Sequence, residues 1–374
     1  MADLNNIPSP ILGNGQNHTI FSLQDQNGFS PQSQHETPLH TQDELSSNEQ
    51  TPQNQDSRLL QLAPELVNAI ADFLKPVDRV LFAQTCRSAR AKLFEGPLTA
   101  CRLSRNEYIT YLTAQARALP DKWACEKCMV LHPVVDTDTP TSISKSSCPL
   151  SHHNPTRIGN LSWKQIPIKH HHIQLALKYT RLQHHGYDYY LKALLKPYYL
   201  KGTGMGTDVP LEIRYSAYPK IIKDDNGNLK FLLASNWRYS KDHKRILLHH
   251  LGYHQICPHL EWNYCNNCSK RFCDKSYHDS PCHTLYRATE TVVEDRCKNQ
   301  RIGACPRCPT DYSVQLMPEY LDLWVFQDFG SECSPIDLAW TTHCYNGPWG
   351  NSANWRKSGP TLYHEPGSVE KWFD

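Results

Sequence analysis

No stretch of the 374 residues approaches the roughly 18 consecutive apolar side chains needed to span a bilayer. The opening MADLNNIPSPILGNGQ has neither a basic n-region nor an apolar h-region. No secretory signal is therefore expected, and the protein is expected to be intracellular, in cytoplasm or nucleus. Lys and Arg are missing altogether from residues 1–57, which carry seven acids. That segment is also poor in apolar residues and rich in Asn, Gln, Ser, Thr and Pro. It cannot bury enough surface to offset its ordering entropy and is expected to be a disordered tail. Signatures of several enzyme classes are missing too. There is no His-Glu-x-x-His, no Gly-x-Ser-x-Gly elbow, and no Gly-Lys-Ser/Thr to make a phosphate loop of KGTGMGTDVP. The glycines Gly202, Gly204 and Gly206 are expected in a flexible connector. The zinc-deaminase order, His-x-Glu and then Pro-Cys-x-x-Cys, is not met by ICPHLEWNYCNNC. No period of 20–50 residues repeats, which excludes solenoids and propellers.

What the chain does have is cysteine, 15 in all. In a reducing compartment, cysteines in short-spaced pairs point to zinc rather than to disulfides. The formal net charge is +2, but residues 58–374 carry 39 basic against 30 acidic side chains. That mild excess permits nucleic-acid binding without indicating it.

Composition switches at Arg58. Leu62, Leu66, Ile70 and Leu74 recur every four residues and predict one face of a helix, with Pro64 tolerated in its first turn. Pro76 stops that helix and starts a second, carrying Val77, Val80, Leu81 and Cys86. A third holds Ala89 and Leu93 before Gly96-Pro97 ends it. Three short helices make a small core, so this unit is expected to lean on a partner or on the rest of the chain.

The stretch LAPELVNAIADFLKPVDRVLFAQTCRSARAKL resembles the F-box. Leu62, Pro64, Glu65, Leu66, Ile70, Leu74, Leu81, Cys86 and Arg87 fall on that pattern. It departs at Ala89, where many members have tryptophan, and at Ala63, where many have a second proline. The resemblance implies a three-helix F-box over residues 58–98 whose matching residues bind the Skp-type adaptor of a cullin–RING ubiquitin ligase. The chain would then be a non-catalytic subunit that presents an unknown target protein. RALPDKWACEKCMVLHPVVDTDTP also resembles filamentous-fungal F-box proteins, in which a Cys-rich region follows the F-box. The likeness returns in CPRCPTDYSVQL, LWVFQDFG, SPIDLAW and HEPGSVEKWF.

Ser104 and Glu107 form a capping box for a helix running to about Leu119. LEIRYSAYPKIIKDDNGNLKFLLASNWRYS reads as two β-rich runs around Asp225-Asn226-Gly227, and Tyr312–Leu316 and Leu321–Phe326 as another hairpin around Met317-Pro318-Glu319. The fold class expected is α+β: helices first, then antiparallel hairpins in a Cys-rich domain over residues 99–374.

Zinc needs four converging ligands, and a Cys-x-x-Cys turn supplies two. Cys125 and Cys128 are expected to bind with Cys148, and His132 is the preferred fourth ligand over His152 and His153. Cys305 and Cys308 pair with Cys257 and His259. Cys265, Cys268, Cys273 and His278 have knuckle-like spacing and make a further candidate set, with Cys282 and His283 to spare. The last two sets could trade ligands, so of one to three zinc sites, two are expected. Eight regularly spaced RING ligands are not present. Cys86, Cys101, Cys297, Cys333 and Cys344 read as plain thiols, and His170–His172 and His184–His185 as structural or exposed. The alternative function is zinc-dependent nucleic-acid binding, based on Tyr264, Lys270, Arg271 and Phe272 beside the knuckle.

Overall fold

The computed structural model describes residues 58–93, 103–142, 148–150, 160–161, 168–203, 211–240, 246–251, 254–262, 284–294, 300–344 and 359–373. All belong to one unit of the chain. The expected tail and Gly96-Pro97 lie outside these residues.

Four short helices open the chain: α1 (Arg58–Gln61), α2 (Pro64–Asp72), α3 (Pro76–Thr85) and α4 (Arg87–Leu93). Pro64 and Pro76 occupy the first helical positions of α2 and α3, where the missing N–H costs nothing. Leu62 sits in the break before α2, and Cys86 in the break after α3, where its Sγ accepts from Ala89 N at 3.3 Å. The small core here is Val67, Ala71, Ala83 and Leu93, with Leu62 and Phe82 against it. The apolar face spaced every four residues is therefore not the buried one: Leu66 and Ile70 point outward.

Helix α5 (Arg105–Ala118) starts with the expected capping box, Glu107 N to Ser104 Oγ at 3.3 Å and Ser104 N to Glu107 Oε2 at 2.7 Å. It joins the preceding helices through Gln84, which donates to the Tyr111 hydroxyl at 2.8 Å and accepts from Gln115 at 2.8 Å. A two-stranded ribbon follows, β1 (Lys122–Cys125) and β2 (Val130–Pro133), then the short β3 (Asn160–Leu161). Helices α6 (His170–Leu182) and α7 (Asp188–Leu194) lead to β4 (Tyr198–Thr203). Lys201 and Gly202 thus lie in a strand rather than in the expected connector.

The main body is a six-stranded antiparallel sheet in the order β4-β5-β6-β11-β10-β9, from β5 (Glu212–Lys223), β6 (Leu229–Ser240), β9 (Arg301–Ala304), β10 (Thr310–Leu316) and β11 (Tyr320–Asp328). The β5–β6 turn forms where expected. Asp224 Oδ1 accepts from Asn226 N at 3.0 Å and Asn228 N at 2.8 Å, and Gly227 takes φ +80°. The β10–β11 turn closes with Met317 N on Tyr320 O at 2.8 Å. Between these, β7 (His254–Cys257) and β8 (Leu260–Trp262) complete a three-stranded sheet with β3. Helix α8 (Thr284–Glu294) packs on β9 and β10, and α9 (Leu338–Thr341) follows β11. Alternation puts Tyr215, Leu233, Trp237, Val314, Leu323 and Val325 on the inner face, against α6 and α8. The α+β class with antiparallel sheets is as expected.

Two of the stretches that carried the resemblance meet in space. The Asp311 carboxylate, fully buried on β10, holds the segment His364–Glu370. Oδ1 receives His364 Nε2 and Gly367 N, each at 3.0 Å; Oδ2 receives Val369 N at 2.8 Å and Glu370 N at 3.1 Å. Burial opposes the charge, but these donors outweigh it and hold the Asp311 pKa below its usual value. The stabilisation is complete above the ordinary carboxylate range and is lost as pH falls through the lowered folded value. Asp311→Ala should cost about 3 kcal/mol at neutral pH, read by urea unfolding. The gap between variant and wild type should shrink on acidification below about pH 4.

Candidate metal centres

The sequence places Cys125 at the end of β1 and Cys128 three residues on, where the chain must reverse to form β2. The reversal passes through Met129 at φ +56°, a left-handed residue closed by Met129 N on Cys125 O at 2.9 Å. This turn aims Cys128 N at Cys125 Sγ, 3.4 Å away. His132 lies opposite Trp123 in the ribbon register, on the same face as Cys125. Cys148 completes the group, its Sγ 3.6 Å from Cys125 Sγ and 3.5 Å from Cys128 Sγ. Ligand atoms of Cys125, Cys128, His132 and Cys148 lie within 4.8 Å of one another.

A second group forms at the turn between β9 and β10. Cys305 and Cys308 approach Cys257 at the end of β7 and His259 in the β7–β8 turn, all four buried and again within 4.8 Å. Cys305 Sγ is 3.6 Å from His259 Nδ1 and accepts from Arg307 N at 3.4 Å. The four residues expected to pair across the chain are brought together, and they join the three-stranded sheet to the edge of the large one.

The distances have a chemical meaning. A disulfide would need about 2.05 Å between sulfurs. Two thiolates about 2.3 Å from a tetrahedral zinc lie about 3.8 Å apart, and a thiolate–imidazole pair about 3.6 Å. The measured separations sit near the second set. Protonation tells the same story. Burial pushes the Cys125 thiol up to about 12 and raises Cys128. Cys257 and Cys308 are pushed well above the ordinary value, again by burial. Cys305 goes the other way: burial raises it, but hydrogen bonds from Cys257, Cys308 and His259 outweigh that and lower it. So many sulfurs in dry contact resist becoming thiolates together unless a cation joins them. The first group also holds an imidazole nitrogen, Nε2 of His132, buried with no hydrogen-bond partner among the described residues. Both clusters could hold a divalent ion of zinc's preferences.

Sequence reasoning missed a third cluster. His171 and His172, read as structural or exposed, are buried at the start of α6, and both Nε2 atoms face the carboxylate of Asp138, at 3.1 and 3.2 Å. The three donors are close enough for an ion. However, His172 Nδ1 accepts from Lys169 N at 3.2 Å. That puts the His172 proton on Nε2, where it is donated to Asp138 and leaves no lone pair for a metal. The arrangement is a hydrogen-bonded clamp. It supports the first centre through Trp123, stacked on His171 at 4.4 Å and tilted on His132 at 5.0 Å. The clue was HHH followed by ILAL-like apolar spacing, with Asp138 thirty-odd residues upstream, a pairing no local pattern reveals.

Cys265, Cys268, Cys273, His278, Cys282 and His283 lie outside the described residues, as do His152, His153, Cys101 and Cys297. Of the remaining thiols, Cys344 is buried and donates to Trp340 O at 3.3 Å, while Cys86 and Cys333 are half-buried.

Cys305→Ser should lose one metal equivalent and unfold the β7–β10 region, seen as metal release by elemental analysis together with lost near-ultraviolet circular dichroism. A strong chelator should do the same to the wild type, and added zinc should reverse it. Comparison with known proteins returns no matching family model, no matching curated protein and no matching solved structure, so function has to be argued from the geometry.

Proposed function

We propose that the chain is an F-box-type receptor subunit: α1–α4 dock a Skp-type adaptor, and two zinc ions, at Cys125/Cys128/His132/Cys148 and Cys257/His259/Cys305/Cys308, brace the domain that presents a target. The observation that carries this reading is the outward face of α2. Leu66 is 54% exposed, Ile70 40% and Phe73, just past its end, 92%, while Val67 and Ala71 on the opposite side are fully buried. Residues i, i+4 and i+7 form one stripe on a helix. Each of these side chains would gain about 1.5–3 kcal/mol on full burial, so leaving three exposed together favours a partner that covers them. Leu66 and Ile70 are also two of the residues on which the F-box resemblance rests. Leu62, Leu74, Leu81 and Cys86 are half-buried, and Pro64, Glu65 and Arg87 are exposed.

A structural role for the metal follows from ligand number. Four protein ligands saturate tetrahedral zinc and leave no position for an activated water, so a non-catalytic subunit is the reading that fits. The nucleic-acid alternative depended on Tyr264, Lys270, Arg271 and Phe272, outside the described residues. No helix among the described residues is long and apolar enough to cross a membrane.

The test is binding of the full chain to a purified Skp-type adaptor by calorimetry. Leu66→Asp and Phe73→Asp should each weaken it by about 30-fold, the loss of an anchor worth about 2 kcal/mol, with the metal content unchanged. A wild-type chain that does not bind, or variants that bind as well as it does, would overturn the proposal.

A further inference from the structure

The outer face of the six-stranded sheet carries one row in continuous register: Tyr199, Ser216, Asn236, Trp324, Ser313 and Ile302, one residue from each strand. Its ends are the exposed Tyr199 and Ile302, and between them the small polar Ser216, Asn236 and Ser313 surround Trp324. The flanking rows differ in chemistry. On one side Tyr218, Phe326 and Phe373 continue from Trp324 as a strip of rings, with centroids 6.1 Å (Tyr218–Trp324), 6.2 Å (Trp324–Phe326) and 5.4 Å (Phe326–Phe373) apart. On the other side stand Lys201, Arg214 and Arg238. Arg238 is matched by a bidentate bond to Asp322, both contacts at 2.8 Å. Lys201 and Arg214, however, share the single carboxylate of Glu212. In the floor, Asn236 is only 6% exposed, and its Nδ2 has no acceptor. A buried amide left unsatisfied is destabilising, and a ligand supplying a carbonyl or carboxylate oxygen would recover the missing bond.

We infer that this groove is where the protein reads its target, and that the target segment is an extended peptide with an apolar or aromatic side chain beside an acidic one. The name target rests on the receptor reading above; the groove chemistry does not. Six strands spaced about 4.8 Å apart give the row about 24 Å, the reach of about seven extended residues. Its rings take the apolar side chain, Asn236 Nδ2 takes a main-chain oxygen, and the half-neutralised Lys201–Arg214 pair takes the carboxylate. With one positive charge in excess there, a single carboxylate is matched. The polyanion of a nucleic acid, which needs several phosphates neutralised, is not.

The experiment uses the zinc-loaded full chain and fluorescence anisotropy with three probes: a nonapeptide pool rich in Asp and Glu around a central Trp or Leu, the same pool with Lys for each acid, and a nine-nucleotide single strand. The acidic pool should bind at least tenfold more tightly than the other two. Tyr199→Ala and Arg214→Glu, both at exposed side chains that carry no core packing, should each weaken it at least fivefold. Trp324→Ala should remove it. Equal binding of the lysine pool, preference for the oligonucleotide, no peptide binding, or insensitivity to both Tyr199→Ala and Arg214→Glu overturns the inference. If Trp324→Ala loses its zinc, those two exposed variants decide. Peptide binding without adaptor binding sinks the receptor reading alone, and adaptor binding without peptide binding sinks this inference alone.

Discussion

Helix α6 buries polar side chains where an amphipathic helix would bury leucines, and nearly every one of them grips the segment that carries the first metal centre. Gln174 Oε1 takes Ala124 N at 3.1 Å. Lys178, with no solvent exposure, donates to Leu119 O and Lys122 O, and burial lowers its pKa to about 8. Tyr179 donates to Pro120 O at 3.0 Å, and His171 and His172 hold Asp138. A buried ammonium or imidazole is expensive unless its bonds are made, so this set specifies one docking of the β1–β2 ribbon and few alternatives. The ribbon strands have four residues each, too short for independent stability. Their geometry comes from α6 on one side and from the packing of the Cys125, Cys128, His132 and Cys148 cluster on the other. Arg181 extends the clamp, pairing with Glu332 at 2.7 Å and donating to Arg117 O at 2.8 Å, which fixes the end of α5 as well.

The second centre solves a different problem. The three-stranded sheet is small, although Ile256, Cys257 and Leu260 of β7 and β8 are buried in the main core. Cys257 and His259 tie it to the β9–β10 turn, where Cys305 N pairs with Thr310 O at 2.8 Å to set the approach of Cys308. The same turn is stapled from behind, because Arg307 donates to Gly359 O at 2.6 Å and accepts Leu362 N at 2.9 Å through its carbonyl. With Asp311 holding residues 364–370, the stretch from Cys305 to Asp311 organises both the metal ligands and the C-terminal segment.

How much of this could be read in the chain varied with the range of the interaction. The capping box at Ser104, the turn at Asp224–Gly227 and the hairpin at Met317 are decided within a few residues, so local chemistry named them. The groupings around Cys125 and Cys305 were legible because zinc restricts its partners to a few residue types and each Cys-x-x-Cys turn brings two of them together. Two features were not legible. The stripe through Leu66 and Ile70 has the same period whether it faces core or partner, since periodicity reports a shared face and not what covers it. The histidines of α6 looked unpartnered because Asp138 is more than thirty residues upstream and no spacing rule connects them.

The outward stripe and the buried polar helix together argue for a division of labour. The α2 face leaves apolar surface in water, while Lys178, His171 and Asp138 place charge and dipoles in the core. Each departs from the usual sorting of side chains, and they depart in opposite directions. An exposed apolar stripe gains from burial only when something else covers it, which is why the proposed docking face is placed there. Buried polar groups with most of their bonds made gain little net stability but penalise rearranged packing, so they favour a single arrangement of the parts they join. Gln84, Tyr111 and Gln115 link the two regions through directional bonds between α3 and α5. Under the proposed reading, a helical module that docks a partner would then hold the body carrying the two Cys/His clusters at a fixed attitude.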